Sequence, residues 1–347
     1  MITTSGELYF INEQDVRTGE KSNYFKIGIV RDADGRNSID RLLEHQTGNP
    51  RKLCVVEAIA MPAVEYIETN LHYLFARSRV MGEWMQFTPK ELESAIAKAH
   101  ELKDQMEATI REIELAEALK GVISNGVRIA PTHDSEYWYS VIQNLKPVID
   151  YCNDVLAEYD EHILSAINLG IDVSAVAKVQ QRAGAKKFDE NILLQKYPDL
   201  HSKYATGKSE MKGQFRLLSS KDWQQDLNAI SSESVDAITD LKSLLSIADH
   251  SMEMEFALHE KRLAVLEVRQ YGIWNTEIAN YKLRALTGEN EGIEGICIWK
   301  RELKNTIVLD KKKLQIDHPD VYEECVVTGK VTEALIVEPK AAMKEAK

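Results

Sequence analysis

Arg41 and His45 lie four residues apart in SIDRLLEHQ, a segment with helical spacing, and would therefore share one helical face. The planar fork of a guanidinium fits phosphate oxygens, and a neutral imidazole is a suitable base near pH 7. Hydrolysis of a phosphodiester needs an activated water, relief of charge on the phosphate and usually a metal. The pair therefore indicates phosphate chemistry, with a solvated Arg/His surface pair as the alternative.

The elements that would position this pair form a small sheet with helices. Residues 7–11 and 24–30 are rich in aromatic and β-branched side chains and are separated by turn formers, which predicts a two-stranded hairpin. Ser38 is the predicted N-cap of the helix that follows. Residues 53–61 are apolar enough to predict a third, central strand, and Pro62 opens a second helix.

The order of these motifs resembles that of the GIY-YIG nucleases over residues 6–87. GELYFI is the first aromatic strand, YFKIGI is the second, and the Arg–His helix and a glutamate-bearing helix follow. The sequence is most similar to the phage and bacterial branch whose second signature reads KIG and whose last helix ends in a GEW turn, here residues 82–84. The resemblance implies a divalent-metal-dependent DNA endonuclease with Mg²⁺ or Mn²⁺ as cofactor and DNA as partner.

The resemblance also implies catalytic roles for individual residues. Tyr9 would lie at the centre of the site and orient or deprotonate the nucleophile, although a packed core aromatic is the alternative. Lys26 takes the place of the second signature tyrosine and would contact the scissile phosphate or hold the nucleophile. Glu68 would bind the metal. The complete catalytic set is Tyr9, Lys26, Arg41, His45 and Glu68.

Other residues near these motifs have supporting or alternative roles. Tyr24 lies on the same strand face as Lys26 and would be the alternative source of the missing phenol. His72 would support the metal-binding carboxylate from behind, or be a buried histidine with ordinary hydrogen bonds. Gly28 is interpreted as structural, because it lets the backbone pass close to the site. The late asparagine of many relatives has no counterpart, and Gln86 is a weak substitute.

The charge distribution limits how DNA could be bound. The net charge is −12, of which residues 1–90 carry −1 and the remainder −11. Because nucleic-acid binders usually show a basic surface, only a local patch in the first ninety residues is expected to contact DNA. Its predicted members are Arg31, Arg36, Arg51, Lys52, Arg77 and Arg79. The acidic remainder is expected to mediate self-association or to bind a protein partner.

Composition indicates a cytoplasmic protein. No apolar run approaches the ~18 residues that a membrane span needs, and the N-terminus lacks the basic start and apolar core of a signal peptide. The four cysteines are far apart and have no metal-type spacing, which fits a reducing compartment. No membrane partner is therefore expected.

The later part of the chain contains an internal repeat. Residues 175–204 and 296–325 align at a shift of 121, which places Asp189 on Asp310. This pattern favours a duplicated small module, with chance similarity as the alternative. Residues 279–324 are also similar to the C-terminal tail of YqaJ-type phage recombination exonucleases, which implies an accessory module in nucleic-acid metabolism.

These observations together predict an α+β protein. A small three-stranded sheet with helices, GIY-YIG-like, would be followed by a large, mainly α-helical region with short strands. The expected segments are a nuclease domain (1–90), a long helix and linker (91–135), a helical region with the first repeat (136–219), and a long helix with the second repeat (220–347). The predicted function is DNA cleavage in phage–host conflict, as a defence, restriction or mobile-element nuclease. The alternatives are a catalytically degenerate adaptor and an accessory protein of DNA recombination or repair.

Overall fold

The computed structural model describes residues 4–218 and 230–337. Of these described residues, 52% are helical and 26% lie in strands. An antiparallel sheet with helices comes first and a mainly helical region follows, so the predicted α+β class is confirmed. Among the described residues, no helix is long and apolar enough to cross a membrane.

The N-terminal sheet has five strands in the order β3-β1-β2-β5-β4. The three predicted strands pair antiparallel, with β1 between β2 and β3. Residues 53–61, predicted as a central strand, instead form the edge strand β3, so that part of the prediction was wrong. A short hairpin, built around the GEW turn that was interpreted only as a tight turn, adds two more strands at the β2 edge, so three strands were too few. The elements are β1 (Gly6–Gln14), β2 (Lys21–Arg31), α1 (Ser38–Gln46), β3 (Lys52–Met61), α2 (Val64–Leu74), β4 (Arg79–Met81) and β5 (Trp84–Gln86).

Helix α1 begins where predicted, but its cap is one residue earlier. The Asn37 side chain accepts hydrogen bonds from the first-turn backbone, and Asp40 bonds back to the Asn37 N–H in a capping box. The predicted cap, Ser38, is already the first helical residue, and its N–H donates to Glu7 Oε2 at 2.8 Å. The last bond ties α1 to β1 and fixes which face of the helix lies over the sheet.

Both faces of the sheet are buried, because neighbouring side chains on a strand point in opposite directions. A small hydrophobic cluster covers one face, called the small face, and a large cluster covers the other. On the small face, Tyr9, Ile11, Val30 and Leu53 form a cluster with partly buried residues of α1 and β5. The opposite face holds Leu8, Phe10, Ile27 and Ile59, among others, packed against α2 and the helices that follow.

The predicted single helix after residue 88 is two helices, α3 (Pro89–Glu107) and α4 (Ile110–Leu119). Thr88 caps the first, as the sequence suggests. The break at 108–109 contains neither glycine nor proline, so no helix-breaking residue type marks it in the sequence. Thr109 Oγ1 donates to the Gln105 carbonyl at 2.8 Å, and this kind of back-bonding disturbs helical hydrogen bonding.

The rest of the chain consists of two long helices, a shorter one and the repeat modules. The last long helix, α9 (Met252–Thr287), packs along the first, α5 (His133–Asn168), and along the shorter α8 (Ser232–Leu245), and it also contacts α2 and α4. The remaining elements are β6 (Arg128–Ile129), α5 (His133–Asn168), β7 (Ala177–Arg182), β8 (Lys186–Phe188), α6 (Glu190–Lys196), α7 (Pro198–Tyr204), β9 (Ala205–Leu217), α8 (Ser232–Leu245), α9 (Met252–Thr287), β10 (Gly292–Ile293), β11 (Cys297–Leu309), α10 (Lys311–Asp317), α11 (Pro319–Glu324), β12 (Val326–Thr328) and β13 (Thr332–Val337).

The two repeat segments form matching elements and pack on each other. Asp189 and Asp310 are the N-caps of α6 and α10. The Asp189 N–H donates to the Cys325 carbonyl at 2.8 Å, and the Asp310 N–H donates to the Tyr204 carbonyl at 2.9 Å. Since 204 and 325 also differ by 121, the two bonds are the same contact with the two segments exchanged. The equivalence of the segments is what a duplication requires.

The two repeat modules are also joined by strands that pair with each other. β9 and β11 pair antiparallel over all 13 residues of each strand, and β12 and β13 pair with β8 and β7. β9 and β11 are therefore longer than the short strands predicted for this region, whereas β7, β8, β12 and β13 are short, with three to six residues each. A shared core of Leu193, Leu314, Tyr204 and Cys325 lies between the helices, so each thirty-residue unit is stabilised by its copy.

Candidate active site at the edge of the N-terminal sheet

Tyr9 occupies the centre of the small sheet face. It lies opposite Gly28 on β2, and its phenol crosses the space above that glycine. A Cβ at position 28 would be 2.5 Å from Tyr9 Oη, so any side chain there would displace the phenol. Burial raises the pKa of Tyr9, and the neighbouring Arg41 partly opposes the rise. The phenol is therefore neutral near pH 7, and it can donate its proton only to a base within hydrogen-bonding distance.

His45 and Arg41, from the same face of α1, both reach this phenol. Tyr9 Oη lies 3.4 Å from His45 Nε2, and the Arg41 guanidinium interacts with the phenol as well. Burial lowers the pKa of His45, and the charges of Lys26 and Arg41 lower it further. A neutral imidazole is thus favoured at pH 7, with Nε2 free to accept the phenolic proton. The spacing predicted from the sequence places the two side chains together.

Lys26 lies on β2, two residues before Gly28 and on the same strand face. Its ammonium forms an ion pair with the Glu83 carboxylate. Glu83 belongs to the turn between β4 and β5, which sits beside β2 because Lys26 pairs with Trp84. Burial alone would raise the pKa of Glu83, but the bond from Lys26 holds it below its usual value. The sequence interpretation missed Glu83, which it treated as part of a structural turn.

Glu68 comes from α2, on the other side of the sheet edge. Burial raises its pKa to about 7, and the negative charge of Glu83 adds to the rise while Lys26 opposes it. Within the described part of the chain, the Glu68 carboxyl makes no hydrogen bond and no ion pair. Its charge in turn affects the pKa of Tyr9. The structure therefore brings Tyr9, Lys26, Arg41 and His45 together on one sheet face, and Glu68 lies close enough for its charge to act on Tyr9 and Lys26.

His72 and the two weaker candidates have more peripheral positions. His72 Nε2 donates to the Ile27 carbonyl at 3.1 Å, which anchors α2 to β2 one turn after Glu68. Burial lowers the pKa of His72, which favours the neutral ring. His72 therefore joins α2 to β2 and also lies beside Glu68 in the site. Tyr24 is 37% exposed at the start of β2. It pairs with Gln86, which is exposed on β5.

Helix α9 supports α2 from behind. Tyr66 stacks on Trp274 with ring centroids 4.8 Å apart, and buried Gln270 donates to Asn70 Oδ1 at 2.9 Å. These contacts hold the side of α2 that faces away from the β2 edge. The position of Glu68 therefore depends on a helix two hundred residues later in the chain.

Most of the predicted DNA-binding cations already have partners. Arg31 pairs with Glu65, and Arg77 forms a two-pronged bond to Glu267 of α9, at 2.8 Å for the shortest contact. Lys52 has no ion-pair partner among the described residues. The other pairs are Arg36 with Glu44 at 2.6 Å, Arg51 with Glu13 at 3.2 Å and Arg79 with the Gly82 carbonyl. A DNA phosphate would have to compete with these contacts.

The donors at the site fit a hard divalent cation. A cleft of about 240 Å³ is lined by Glu68, Thr69, His72, Tyr73, Arg79 and Glu83. Carboxylate oxygens are the ligands that Mg²⁺ and Mn²⁺ prefer. A bound cation would also stabilise the charged form of Glu68, which is disfavoured in this structure because the carboxyl is partly removed from solvent and lies near the charge of Glu83.

A family comparison supports the nuclease-related character of this domain. Residues 6–100 match the family model described as the T5orf172 domain, a phage-associated domain of the GIY-YIG-like, nuclease-related clan. The matched range contains the entire five-stranded sheet, α1, α2 and about the first two thirds of α3. Searches of curated proteins and of solved structures gave no significant match. The narrower resemblances, to GIY-YIG nucleases proper and to the YqaJ exonuclease tail, stay predictions.

Proposed function

We propose that the N-terminal domain is a divalent-metal-dependent DNA endonuclease that hydrolyses phosphodiester bonds. The observation that carries the proposal is the convergence of Tyr9, Lys26, Arg41, His45 and Glu68, from four different elements, around one edge of the sheet. The phage-associated family of residues 6–100 supports a setting in phage–host conflict, as a defence, restriction or mobile-element nuclease.

The chain supplies a proton path for the attacking water. Tyr9 Oη would accept a hydrogen bond from the water while its own proton moves toward His45 Nε2, 3.4 Å away. His45 suits this role because its lowered pKa keeps the ring neutral. Tyr9 cannot act alone as a base, since burial keeps its phenol protonated.

Two cations would stabilise the charge that develops on the phosphate. Arg41 lies beside Tyr9 and can direct its guanidinium at a non-bridging oxygen. Lys26 is nearly buried and is paired with Glu83, so its ammonium is held in place before substrate arrives. Both groups would lie next to the nucleophile, where a preorganised charge stabilises a transition state most.

Glu68, together with Glu83, would hold the metal ion. When bound, the ion would supply Lewis-acid stabilisation of the phosphate oxygens and of the leaving group. The protein must then hold the Glu68 carboxyl in a fixed position beside β2. The His72–Ile27 bond and the contacts from α9 perform that task.

A degenerate, DNA- or protein-binding adaptor is the second candidate, favoured by the pairing of the surface cations with carboxylates. An accessory role in recombination or repair rests on the YqaJ-like segment alone. Incubation with supercoiled, linear and single-stranded DNA in the presence of Mg²⁺ or Mn²⁺ tests the proposal. Cleavage that is abolished by a chelator supports the nuclease, whereas binding without cleavage in either metal supports the adaptor.

A further inference from the structure

A second cluster of metal-type ligands lies in the helical region, away from the sheet. It consists of His162, His250 and Glu255, whose ligand atoms all lie within 4.8 Å of one another. Among the described residues, it is the one group of three or more histidine, cysteine or acidic side chains with this geometry. Each ligand comes from a different segment: the second half of α5, the connection between α8 and α9, and the first turn of α9.

The geometry of the cluster converges on one carboxylate oxygen. Glu255 Oε1 lies 3.0 Å from His162 Nε2 and 3.2 Å from His250 Nδ1. The two imidazole rings stack with centroids 4.5 Å apart. Ligands about 2.0–2.2 Å from a tetrahedral ion are separated from one another by about 3.3 Å, so small side-chain shifts would convert these hydrogen bonds into a coordination shell.

The carboxylate at the centre is incompletely satisfied. Glu255 is fully buried, and its Oε2 has no hydrogen-bond partner in the described structure. A buried carboxylate oxygen without a partner is costly. The histidine side chains are 13% and 29% exposed, and they open onto a cleft of about 400 Å³ that is also lined by Glu158, Glu161, Ser165 and Lys242. An ion could therefore enter from solvent and keep one position open.

We propose that His162, His250 and Glu255 form a binding site for a transition-metal dication of the Zn²⁺ class, with a solvent-filled fourth position. Two imidazoles and one carboxylate are a typical ligand set for such ions and a poor one for Mg²⁺. Coordination through His162 Nε2 and His250 Nδ1 leaves the proton of each neutral ring on its other nitrogen, so binding needs a tautomer shift and no net proton loss from neutral rings.

The bound ion would link two helices and the connection between α8 and α9. Glu255 precedes Gln270 on α9 by fifteen residues, or about 22 Å of helix, so the site is well separated from the Asn70–Gln270 contact that supports α2. The metal would fix the start of α9 against α5 and the α8–α9 connection. It is therefore a second metal site, independent of the proposed nuclease centre.

Competition with a chromophoric zinc chelator tests this site in the full-length, metal-stripped protein. Both the wild type and Glu68→Gln, which removes the proposed nuclease ligand, should bind one equivalent of Zn²⁺ at this site. In the Glu68→Gln background, His162→Ala and Glu255→Gln should weaken binding by at least ~100-fold, because losing even a group outside the ligand shell costs ~10–100-fold. His133→Ala is the matched control, since that histidine side chain is 96% exposed.

Cobalt spectra and unfolding provide the second readout. Co²⁺ should give tetrahedral d–d bands in the control variant and not in His162→Ala, and a chelator should lower Tm only where all three ligands are present. His250→Gln, at the most exposed ligand, serves if either core variant loses its circular dichroism. Equal Zn²⁺ affinity in the ligand variants and the control, or no binding to any of them, would show that the cluster is only a hydrogen-bonded triad and would overturn the proposal.

Discussion

The half-buried carboxyl of Glu68 should make the stability of the metal-free protein depend on pH. Its pKa is raised from 4.5 to about 7 in the folded protein, first by burial and then by the charge of Glu83. Between these two values the folded state binds more protons than the unfolded state. Folding stability from this group is therefore lost as pH rises from about 4.5 through about 7, and no further loss occurs above the folded pKa.

The size of the effect follows from the shift. One pKa unit corresponds to about 1.4 kcal/mol, so ionised Glu68 destabilises the fold by about 3 kcal/mol at pH 8, by about 1 kcal/mol at pH 5 and by almost nothing below pH 4. Glu68→Gln keeps the shape of the side chain and removes the charge. It should therefore stabilise the metal-free protein by about 2–3 kcal/mol more at pH 8 than at pH 5.

Urea unfolding in the presence of a chelator, monitored by tryptophan fluorescence, measures this difference. Glu93→Gln is the matched control, because Glu93 is an exposed residue of α3. It should shift the midpoint equally at both pH values. If Glu68→Gln also changes stability by the same amount at pH 5 and pH 8, the carboxyl ionises normally in the fold, and the argument for an unmet charge at the site is refuted.

The remaining predictions concern the groups around Tyr9. Gly28→Ala places a Cβ 2.5 Å from Tyr9 Oη. DNA cleavage should fall at least ~10-fold, while the free energy of unfolding in urea should drop by only about 1–3 kcal/mol. Full activity would show that the phenol is not needed at its present position. Arg41→Ala should lose more than ~2 kcal/mol of transition-state stabilisation, measured from kcat/KM. Arg41→Lys should not restore activity, because the planar fork of the guanidinium is lost. If lysine did restore it, only the positive charge of Arg41 would matter. Lys26→Met should be strongly impaired in the same assay, whereas a silent Lys26→Met together with an inactive Tyr24→Phe would place the second signature two residues earlier.

Strands β1 and β2 and the grouping of Arg41 with His45 were predictable because their signals are local. Alternating aromatic and β-branched residues predict β1 and β2, and the spacing of four residues brings Arg41 and His45 to one helical face. The cap of α1 was misplaced by one residue because Asn37 and Ser38 are both good N-cap residues. Only the backbone geometry at Asn37 decides between them.

What the sequence did not predict depends on contacts between distant segments. Glu83 pairs with Lys26 across 57 residues, and the pair forms only because the β4–β5 hairpin adds to the edge of β2. The sequence interpretation also separated residues 1–90 from the helices that follow. In the structure, α3, α4 and Trp274 of α9 complete the core under the sheet, since their apolar faces need a partner that periodicity alone does not identify.

Mg²⁺-dependent cleavage of supercoiled plasmid by the wild type, Glu68→Gln and Glu93→Gln tests the central claim most directly. The wild type and Glu93→Gln should cleave at equal rates and only with a divalent cation present. Glu68→Gln should be inactive at saturating Mg²⁺ while it keeps the circular dichroism of the wild type. Cleavage by Glu68→Gln at the wild-type rate would contradict the assigned metal ligand, and a folded wild type that cleaves no DNA form with Mg²⁺ or Mn²⁺ would contradict the nuclease itself.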